Sequence, residues 1–269
     1  MNFTEAYLYI NTKGATAMTV YSCDTDIESV LTCIYRAWAD GKGHKNLRLS
    51  FSEEAQASLF DEYIHVEADT ALAEKVMDAV NRKISPAFYA ELIYCSLAFE
   101  PDTPDILYRM MLLGFTYGPS ALSMSQFRDV MRFQILKQRL GREIHSFREF
   151  LRFHQLPGGG YVAHIEPKSR VVTALAPAFA DRMPSEHWMI VDDVHHEAIV
   201  HPKDSPFFLW KPNEEEFAEL IKTEENNDEY TDLWCAFFRS IAIEERANAR
   251  CQQNFFPLWK RKHAVEFIR

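Results

Sequence analysis

The sequence has few cysteines and no closely spaced pair of them. Its five cysteines are scattered over 269 residues, and no Cys-x-x-Cys occurs. Disulfide frameworks, structural zinc clusters and iron–sulfur sites need thiolates that are paired or closely placed. We therefore predict no metal and no cofactor, and we expect the cysteines to be reduced and buried as small apolar side chains.

A long hydrophobic run is missing as well. No stretch approaches the roughly eighteen consecutive apolar residues that a membrane-spanning helix needs. The first residues, from Met1 to Ala6, show neither the basic start nor the apolar core of a secretory signal. We therefore expect a cytoplasmic protein with no membrane partner.

The common glycine-rich and nucleophile motifs are also absent. The chain has nine glycines and contains no Gly-x-Gly-x-x-Gly, no P-loop and no Gly-x-Ser-x-Gly. A dinucleotide cofactor, a P-loop nucleotide site and a serine-hydrolase elbow each depend on one of these motifs. None of these three function classes has support in the sequence.

The charge of the chain is unevenly distributed. The formal net charge is −10, yet residues 101–170 hold 10 Lys and Arg against 6 Asp and Glu. The segments on both sides of this stretch are acidic. Because contact with phosphate depends on local charge, the acidic total does not exclude a nucleic-acid surface in the middle of the chain.

The order of the predicted elements indicates an α+β fold, with helices packed around a predominantly antiparallel sheet. Short loops between successive strands after residue 150 favour antiparallel pairing. No linker rich in Pro, Gly or Ser divides the chain, so we expect a single domain. Within it we predict a mixed α/β start, a helical region, a strand-rich region and a helical end, at residues 1–68, 69–150, 150–212 and 213–269.

Three glycines predict local breaks. Gly14 lies in a turn signal between the β-rich stretches 7–10 and 18–21, which suggests an opening hairpin or a bent strand. Gly114 is expected to stop the helix that opens at Thr103, and Gly141 to interrupt or bend a long helix.

A basic stripe is the first candidate for binding. His145, Arg148 and Arg152 share a helical face by their spacing, and Arg142 lies near its edge. Guanidinium groups match phosphate oxygens in a bidentate way, so the stripe could hold nucleic-acid phosphates. The alternative is a solvated helix face that pairs with neighbouring glutamates.

Acidic residues at predicted strand ends are the candidates for catalysis. Glu166, Asp192 and Asp193 fall where a sheet commonly presents functional carboxylates. Such carboxylates with a nearby histidine can carry out acid–base or hydrolytic chemistry. Glu166, Asp193 and His145 are therefore the catalytic candidates, and the alternative is that the strand-end acids only solubilise or form turns.

Seven of the ten histidines lie between residues 145 and 201. Neighbouring strands could bring His154 and His164 together across the glycine turn at residues 157–160. None of the seven has a recognised metal-ligand spacing. Cross-strand histidines on a solvated sheet face are the alternative, and the prediction of no metal stands.

The segment 234–263 mixes aromatic and basic side chains. Its aromatic helix face is more typical of a core than of a binding site. The groups left for contacts are Arg239, Arg246 and the basic tail of Lys260, Arg261, Lys262 and His263. Interleaved rings and cations occur in grooves for single-stranded nucleic acid and also in tails that dock on proteins.

Four stretches together resemble an uncharacterised bacterial family usually labelled "probable DNA metabolism protein". They are FEPDTPDI at residues 99–106, GREIHSFREFLRF at 141–153, the stretch 165–184, and the stretch 234–263 with its ending PLWKRKH. Members of that family are linked to a radical-SAM protein similar to DNA photoproduct lyases. The module also resembles the C-terminal part of uracil-DNA-glycosylase-like fusions.

The resemblance implies nucleic-acid repair or modification and identifies no catalytic residue. The positions that match its motifs include Arg142, His145, Arg148, Arg152, Glu166, Asp181, Arg182, Glu244, Glu245 and Arg246. It implies an accessory protein that acts with a radical-SAM DNA repair protein by binding DNA, that partner, or both. The alternatives are a nucleic-acid-processing enzyme that uses the carboxylates and histidine named above, and a pure protein scaffold.

Overall fold

The computed structural model of the chain describes residues 18–51, 61–225, 229–243 and 248–268. The chain divides into two compact units, unit 1 at residues 1–138 and unit 2 at residues 139–269. Helices account for 55% and strands for 15% of the described residues, so the fold is mixed α and β. The expectation of a single domain remains a prediction.

Unit 1 contains a three-stranded parallel sheet. Its strands are β1 (Thr19–Cys23), β2 (Leu47–Phe51) and β3 (Glu62–His65), in the order β2-β1-β3. The central strand β1 is buried throughout, as parallel strands usually are. The predicted strand at residues 18–21 therefore pairs in parallel on both sides, while its expected hairpin partner at residues 7–10 lies outside the described residues.

Side-chain caps determine where the helices of unit 1 begin. The helices are α1 (Ile27–Ala39), α2 (Thr70–Lys83), α3 (Pro86–Ser96) and α4 (Thr103–Tyr117). Asp26, Asp69 and Ser85 each accept the backbone N–H of the residue three positions later. These N–H groups have no partner inside the helix, so the caps satisfy them and fix the first turns.

Gly114 does not end its helix, and the prediction that it would is wrong. Helix α4 continues to Tyr117. A Cβ atom at Gly114 would lie 2.5 Å from Cζ of Phe88 and 2.8 Å from Cδ1 of Ile84. The glycine is required for close packing beside these side chains rather than for a helix stop.

The prediction for Gly141 is wrong where it expected an interruption. Helix α5 (Arg128–Phe150) runs without a break across Gly141. A glycine in a helix interior costs about 1 kcal/mol relative to alanine. Leu140 and Ile144 are buried on either side of it, and burial of such side chains outweighs that cost.

Unit 2 contains a five-stranded sheet in the order β4-β5-β6-β7-β8. Its strands are β4 (His154–Gln155), β5 (Tyr161–Ile165), β6 (Trp188–Asp192), β7 (Glu197–His201) and β8 (Phe208–Trp210). Three of its neighbouring pairs are antiparallel, as predicted. The pair β5–β6 is parallel.

The predicted predominantly antiparallel sheet is therefore only partly correct. Helix α6 (Val172–Arg182) connects β5 to β6, and strands joined by such a crossover run parallel. The sheet of unit 1 is parallel throughout its described strands. The parallel pairing of β5 and β6 brings the carboxyl ends of the two strands, and the residues that follow them, to the same edge of the sheet.

The remaining helices of unit 2 follow the sheet. They are α7 (Glu214–Ile221), α8 (Glu229–Ser240), α9 (Ala249–Phe255) and α10 (Val265–Ile268), with 3-10 turns at Lys222–Glu225 and Leu258–Lys260. Phe217 and Leu220 of α7 pack on Val162 and Val191 of the sheet. Among the described residues, every helix is too short or too polar to cross a membrane.

Candidate functional site

The parallel pair β5–β6 brings two carboxylates to one edge of the sheet in unit 2. Ile165 is paired with Asp192 at the carboxyl end of the two strands. Glu166 and Asp193 are the next residues, and the backbone N–H of Asp193 donates to the carbonyl of Ile165 at 3.0 Å. The two predicted catalytic carboxylates thus lie side by side, at the edge where α/β sheets commonly bind ligands.

A histidine from the end of the chain completes this arrangement. One ligand-type atom from each of Glu166, Asp193 and His263 lies within 4.8 Å of the others. Nε2 of His263 is 3.8 Å from Oδ2 of Asp193. Lys262, the preceding residue, forms an ion pair with Glu166. We call Glu166, Asp193 and His263 the carboxylate–histidine site.

His164 holds Asp193 in place from behind. Its Nδ1 lies 2.9 Å from Oδ1 of Asp193, and its Nε2 lies 2.9 Å from Oγ1 of Thr223. The single hydroxyl proton of Thr223 is donated to the carbonyl of Leu220 at 2.6 Å. Thr223 must therefore accept from His164.

The predicted meeting of His154 and His164 is present. The two rings are stacked with centroids 6.3 Å apart and planes 10° from parallel. Nε2 of His154 donates to the carbonyl of Thr223 at 2.7 Å. His164 is fully buried, so the pair belongs to the interior of unit 2 rather than to a solvated sheet face.

Asp192 has a different role from its neighbour Asp193. It is buried and accepts from the backbone N–H groups of Val194 and His195 and from Nδ1 of His195. It lies opposite Glu197 in the sheet. Burial raises the pKa of the Glu197 carboxyl, Arg170 opposes this shift, and Asp192 adds to it. Asp192 therefore stabilises the tight turn after β6.

A second cluster lies on the two chain segments that contribute Glu166 and His263, at residues 166–168 and 259–263. The ammonium group of Lys168 lies 5.0 Å from the ring centre of Trp259, and that of Lys260 lies 5.1 Å from it. The Lys260 ammonium is also 5.9 Å from the ring of Phe147. Trp259 keeps 36% of its surface exposed. We call Lys168, Trp259 and Lys260 the lysine–tryptophan cluster.

The electrostatics of this cluster favour an incoming anion. Burial lowers the pKa of Lys260, the nearby Lys168 lowers it further, and Glu143 opposes the shift. Oε1 of Glu143 accepts the backbone N–H of Lys168 at 2.7 Å, so this carboxylate is engaged in positioning the segment. An anion between the two lysines would reduce their mutual repulsion.

The basic stripe on α5 is only partly available to a ligand. Arg142, His145 and Arg148 are exposed. His145 pairs with Glu149 at 3.1 Å, and Arg148 donates to the carbonyl of Ala174 at 3.0 Å. The predicted catalytic His145 therefore lies on the helix surface. Among the described residues it is not part of the group formed by Glu166, Asp193 and His263.

Two predicted binding arginines are engaged inside unit 2. Arg152 forms an ion pair with Glu266, whose side chain is 1% exposed, and it lies over the ring of Trp234. Arg261 lies over Phe256 and Phe267, and its Nε donates to the carbonyl of Phe256. Both guanidinium groups contact protein atoms that fix the C-terminal segment.

The aromatic face of α8 is not a core, contrary to expectation. Phe238 packs against Phe267, but Leu233, Phe237 and Ile241 are each more than half exposed. Arg239 on the same helix is exposed. Arg246 lies outside the described residues, as do the motif positions 244 and 245.

Unit 1 holds a cavity of a different kind. Its volume is about 460 Å³, and aromatic and aliphatic side chains of α1, α2 and α4 line it together with Lys75 and Lys83. His44 and Tyr108 share a hydrogen bond of 2.7 Å at its wall. No carboxylate is among the described residues that line this cavity.

The sequence predicted Glu166, Asp193, Lys260 and Lys262 as site residues, but it did not predict that they would meet Lys168 and His263. Lys168 was not among the candidates, and His263 was named only as the end of the basic tail. The order β5, helix, β6 was the available signal, because it predicts parallel strands whose ends adjoin. No sequence spacing links residues 166–168 to residues 259–263, which meet only in the fold.

The motif at residues 99–106 has a structural role in unit 1. Arg132 donates to Asp102 at 2.7 Å and to Asp105 at 3.3 Å. Arg109 also pairs with Asp105. These acidic residues therefore hold α4 against α5 within unit 1.

A comparison with known protein families identifies the chain. A family model described as a domain of unknown function, DUF4130, matches residues 101–266. The match covers more than half of the chain and includes both clusters of unit 2. No curated protein matches the chain. The chain belongs to the DUF4130 family.

Proposed function

We propose that the protein binds single-stranded or locally opened nucleic acid through unit 2, as an accessory of a radical-SAM protein of DNA repair. The partner is the one that the sequence resemblance implies. The observation that supports nucleic-acid binding is the lysine–tryptophan cluster, in which two ammonium groups lie about 5 Å from the ring of a partly exposed tryptophan.

This cluster has the two chemical elements that single-strand binding needs. A base stacks on an aromatic face, which contributes roughly 1–3 kcal/mol per base, and cations neutralise the phosphates beside it. The same segment exposes further apolar surface at Phe255 and Leu258. These side chains extend the surface on which an unpaired base could lie.

The net charge of −10 limits how the binding can work. Long-range attraction to DNA is weak for an acidic protein, so affinity must come from local contacts. Such binding depends on a few phosphates and has a shallow salt dependence. Each neutralised phosphate of a single strand contributes about −0.7 to the slope of log K against log salt.

Fluorescence anisotropy with a labelled single strand of about 12 nucleotides, a length within known site sizes, tests the proposal. The double variant Lys168→Gln with Lys260→Gln should weaken binding and reduce the salt slope by about 1.4. Trp259→Leu should weaken binding and leave the slope unchanged. Lys203→Gln with Lys211→Gln is the matched control, since both lysines are exposed in unit 2.

Three results of these binding experiments would change the proposal. Binding that falls equally in the control pair would indicate a diffuse charge effect. An absence of binding at low salt, with or without the partner, would remove the nucleic-acid part of the proposal. Co-purification of the partner with no affinity for DNA would then favour the scaffold alternative. The partner itself is tested by co-purification with the radical-SAM protein, with and without DNA.

The carboxylate–histidine site favours a second candidate function, a nucleic-acid-processing enzyme. Glu166 and Asp193 lie beside His263 and near the lysine–tryptophan cluster along the same chain segments. A bound strand would place its phosphates or bases beside acid–base groups. Mass spectrometry of lesion-bearing oligonucleotides after incubation with the pure protein and divalent metals tests this function. An unchanged mass would contradict it.

A further inference from the structure

We propose that the carboxylate–histidine site binds a divalent transition-metal ion, Mn²⁺ or Zn²⁺, and that Lys262 competes with the metal for Glu166. The proposal concerns metal binding alone, so it does not depend on whether the protein binds nucleic acid. It differs from the sequence-based expectation of no metal. It rests on the ligand types, their separation, the groups behind them and the position of Lys262.

The ligand types fit a transition metal. The site offers two carboxylates and one imidazole. Imidazole suits zinc and neighbouring metals, whereas carboxylates suit manganese and magnesium. One nitrogen with two oxygens is a mixed set that Mn²⁺ and Zn²⁺ accept and that Ca²⁺, which prefers oxygen ligands only, does not favour.

The separations are close to those of a metal centre. Metal–ligand bonds of about 2.1 Å place the ligand atoms of a tetrahedral or octahedral site roughly 3.0–3.4 Å apart. In the described structure the three ligand-type atoms lie within 4.8 Å of one another, and the contact between His263 and Asp193 is 3.8 Å. Small side-chain rotations close the remaining distance, and Glu166 is exposed enough to make them.

The groups behind the site hold one ligand rigidly. Asp193 is 7% exposed, its N–H is bonded to Ile165, and its carboxylate is bonded to His164. His164 is in turn fixed by Thr223. Outer groups that orient metal ligands commonly change metal affinity 10- to 100-fold when they are removed. This chain of hydrogen bonds fixes Asp193 in the position of a metal ligand.

Lys262 supplies positive charge where the metal would bind. Its ammonium group pairs with Glu166, and its side chain is 56% exposed. Because most of that side chain lies in solvent, it can turn away at little cost. A divalent ion can then replace the single charge of the lysine beside two carboxylates. Lys262 and the metal therefore exclude each other at Glu166.

Isothermal titration of the full chain with Mn²⁺ and with Zn²⁺ tests the proposal. Glu166→Gln and His263→Gln should each weaken binding at least about tenfold, since loss of an outer group that only orients a ligand already costs that much. Lys262→Met should tighten binding by up to roughly fivefold because it removes the competing charge. His145→Gln is the matched control, as His145 is an exposed histidine beside a carboxylate of the same unit.

The opposite signs of these changes make the result decisive. Misfolding would weaken binding in every variant, whereas the proposal requires Lys262→Met to strengthen it. Circular dichroism of each variant confirms folding. Affinity that is lost in His145→Gln and kept in His263→Gln would place the metal on the helix surface and overturn the proposal. So would the absence of heat from both metals in the wild type and in Lys262→Met.

Discussion

Both units contain parallel strands followed by acidic residues, but the two sets of carboxylates have different partners. In unit 1, Asp26 follows β1 and Asp69 follows β3, and each accepts a backbone N–H at the start of a helix. In unit 2, Glu166 follows β5 and Asp193 follows β6, and both face side chains, namely Lys262, His164 and His263.

The difference distinguishes structural carboxylates from functional candidates. A capping carboxylate satisfies a helix terminus, so its oxygens are committed to the fold. Helix α6, which follows β5, begins after Val171 with no side-chain cap, and Glu166 is therefore not needed for that purpose. Acidic residues that follow parallel strands thus have separable roles, and mutations should separate them.

The largest expected effect tests a structural charge pair inside unit 2. Arg152→Ala leaves the carboxylate of Glu266 buried without its cation, which should destabilise unit 2 by about 3 kcal/mol. Urea unfolding followed by tryptophan fluorescence reports it, since four of the five tryptophans lie in unit 2. Arg148→Ala, which loses one exposed hydrogen bond, is the control and should cost under about 1 kcal/mol. Equal losses would contradict the structural role of Arg152.

The next effect concerns a capping carboxylate of unit 1. Asp69→Ala removes the cap of α2 and should cost about 1 kcal/mol of stability. Asp69→Asn keeps an accepting oxygen and should cost less. Circular dichroism in urea measures both. Metal and oligonucleotide affinities should stay unchanged, and a change in either would mean that the two units are not functionally distinct.

A smaller effect is expected for a carboxylate of the candidate site. Glu166→Gln should change stability by no more than about 0.5 kcal/mol, because the residue is partly exposed and caps no helix. The same variant should lose metal affinity. A stability loss as large as that of Asp69→Ala would show that Glu166 is structural and would remove the contrast between the units.

The positions of helices and strands could be predicted from the sequence more accurately than the pairing of the strands or the packing of the helices. The start of the helix at Thr103 was predicted correctly, because a proline in the first helical turn acts within a few residues. The roles of Gly114 and Gly141 were not, since each depends on packing. Phe88 and Ile84 crowd Gly114, and no local pattern encodes that approach.

The candidate site was half predictable for the same reason. Glu166 and Asp193 were identified from their positions after strands. Their adjacency depended on β5 and β6 being parallel, which short-loop reasoning missed. His263 reaches Asp193 from 70 residues further along the chain, and only the folded structure brings the two together.

The smallest expected effect concerns the reactivity of the cysteine thiols in the two units. Cys23, Cys33 and Cys95 of unit 1 are buried, and in unit 2 Cys235 is buried and Cys251 exposed. Burial raises the pKa of the Cys95 thiol to about 12, so this group carries almost no reactive thiolate at neutral pH. A thiol reagent should therefore modify Cys251 rapidly and the other four only on unfolding.

Mass spectrometry of the labelled native protein measures the number of fast thiols, and Cys251→Ser should reduce it to zero. A second fast thiol at Cys235 would mean that α8 opens readily, as its exposed apolar face would permit. A fast thiol in unit 1 would instead contradict the burial of Cys23, Cys33 and Cys95. The labelling pattern thus separates local opening of unit 2 from a loosely packed unit 1, which the stability measurements alone do not distinguish.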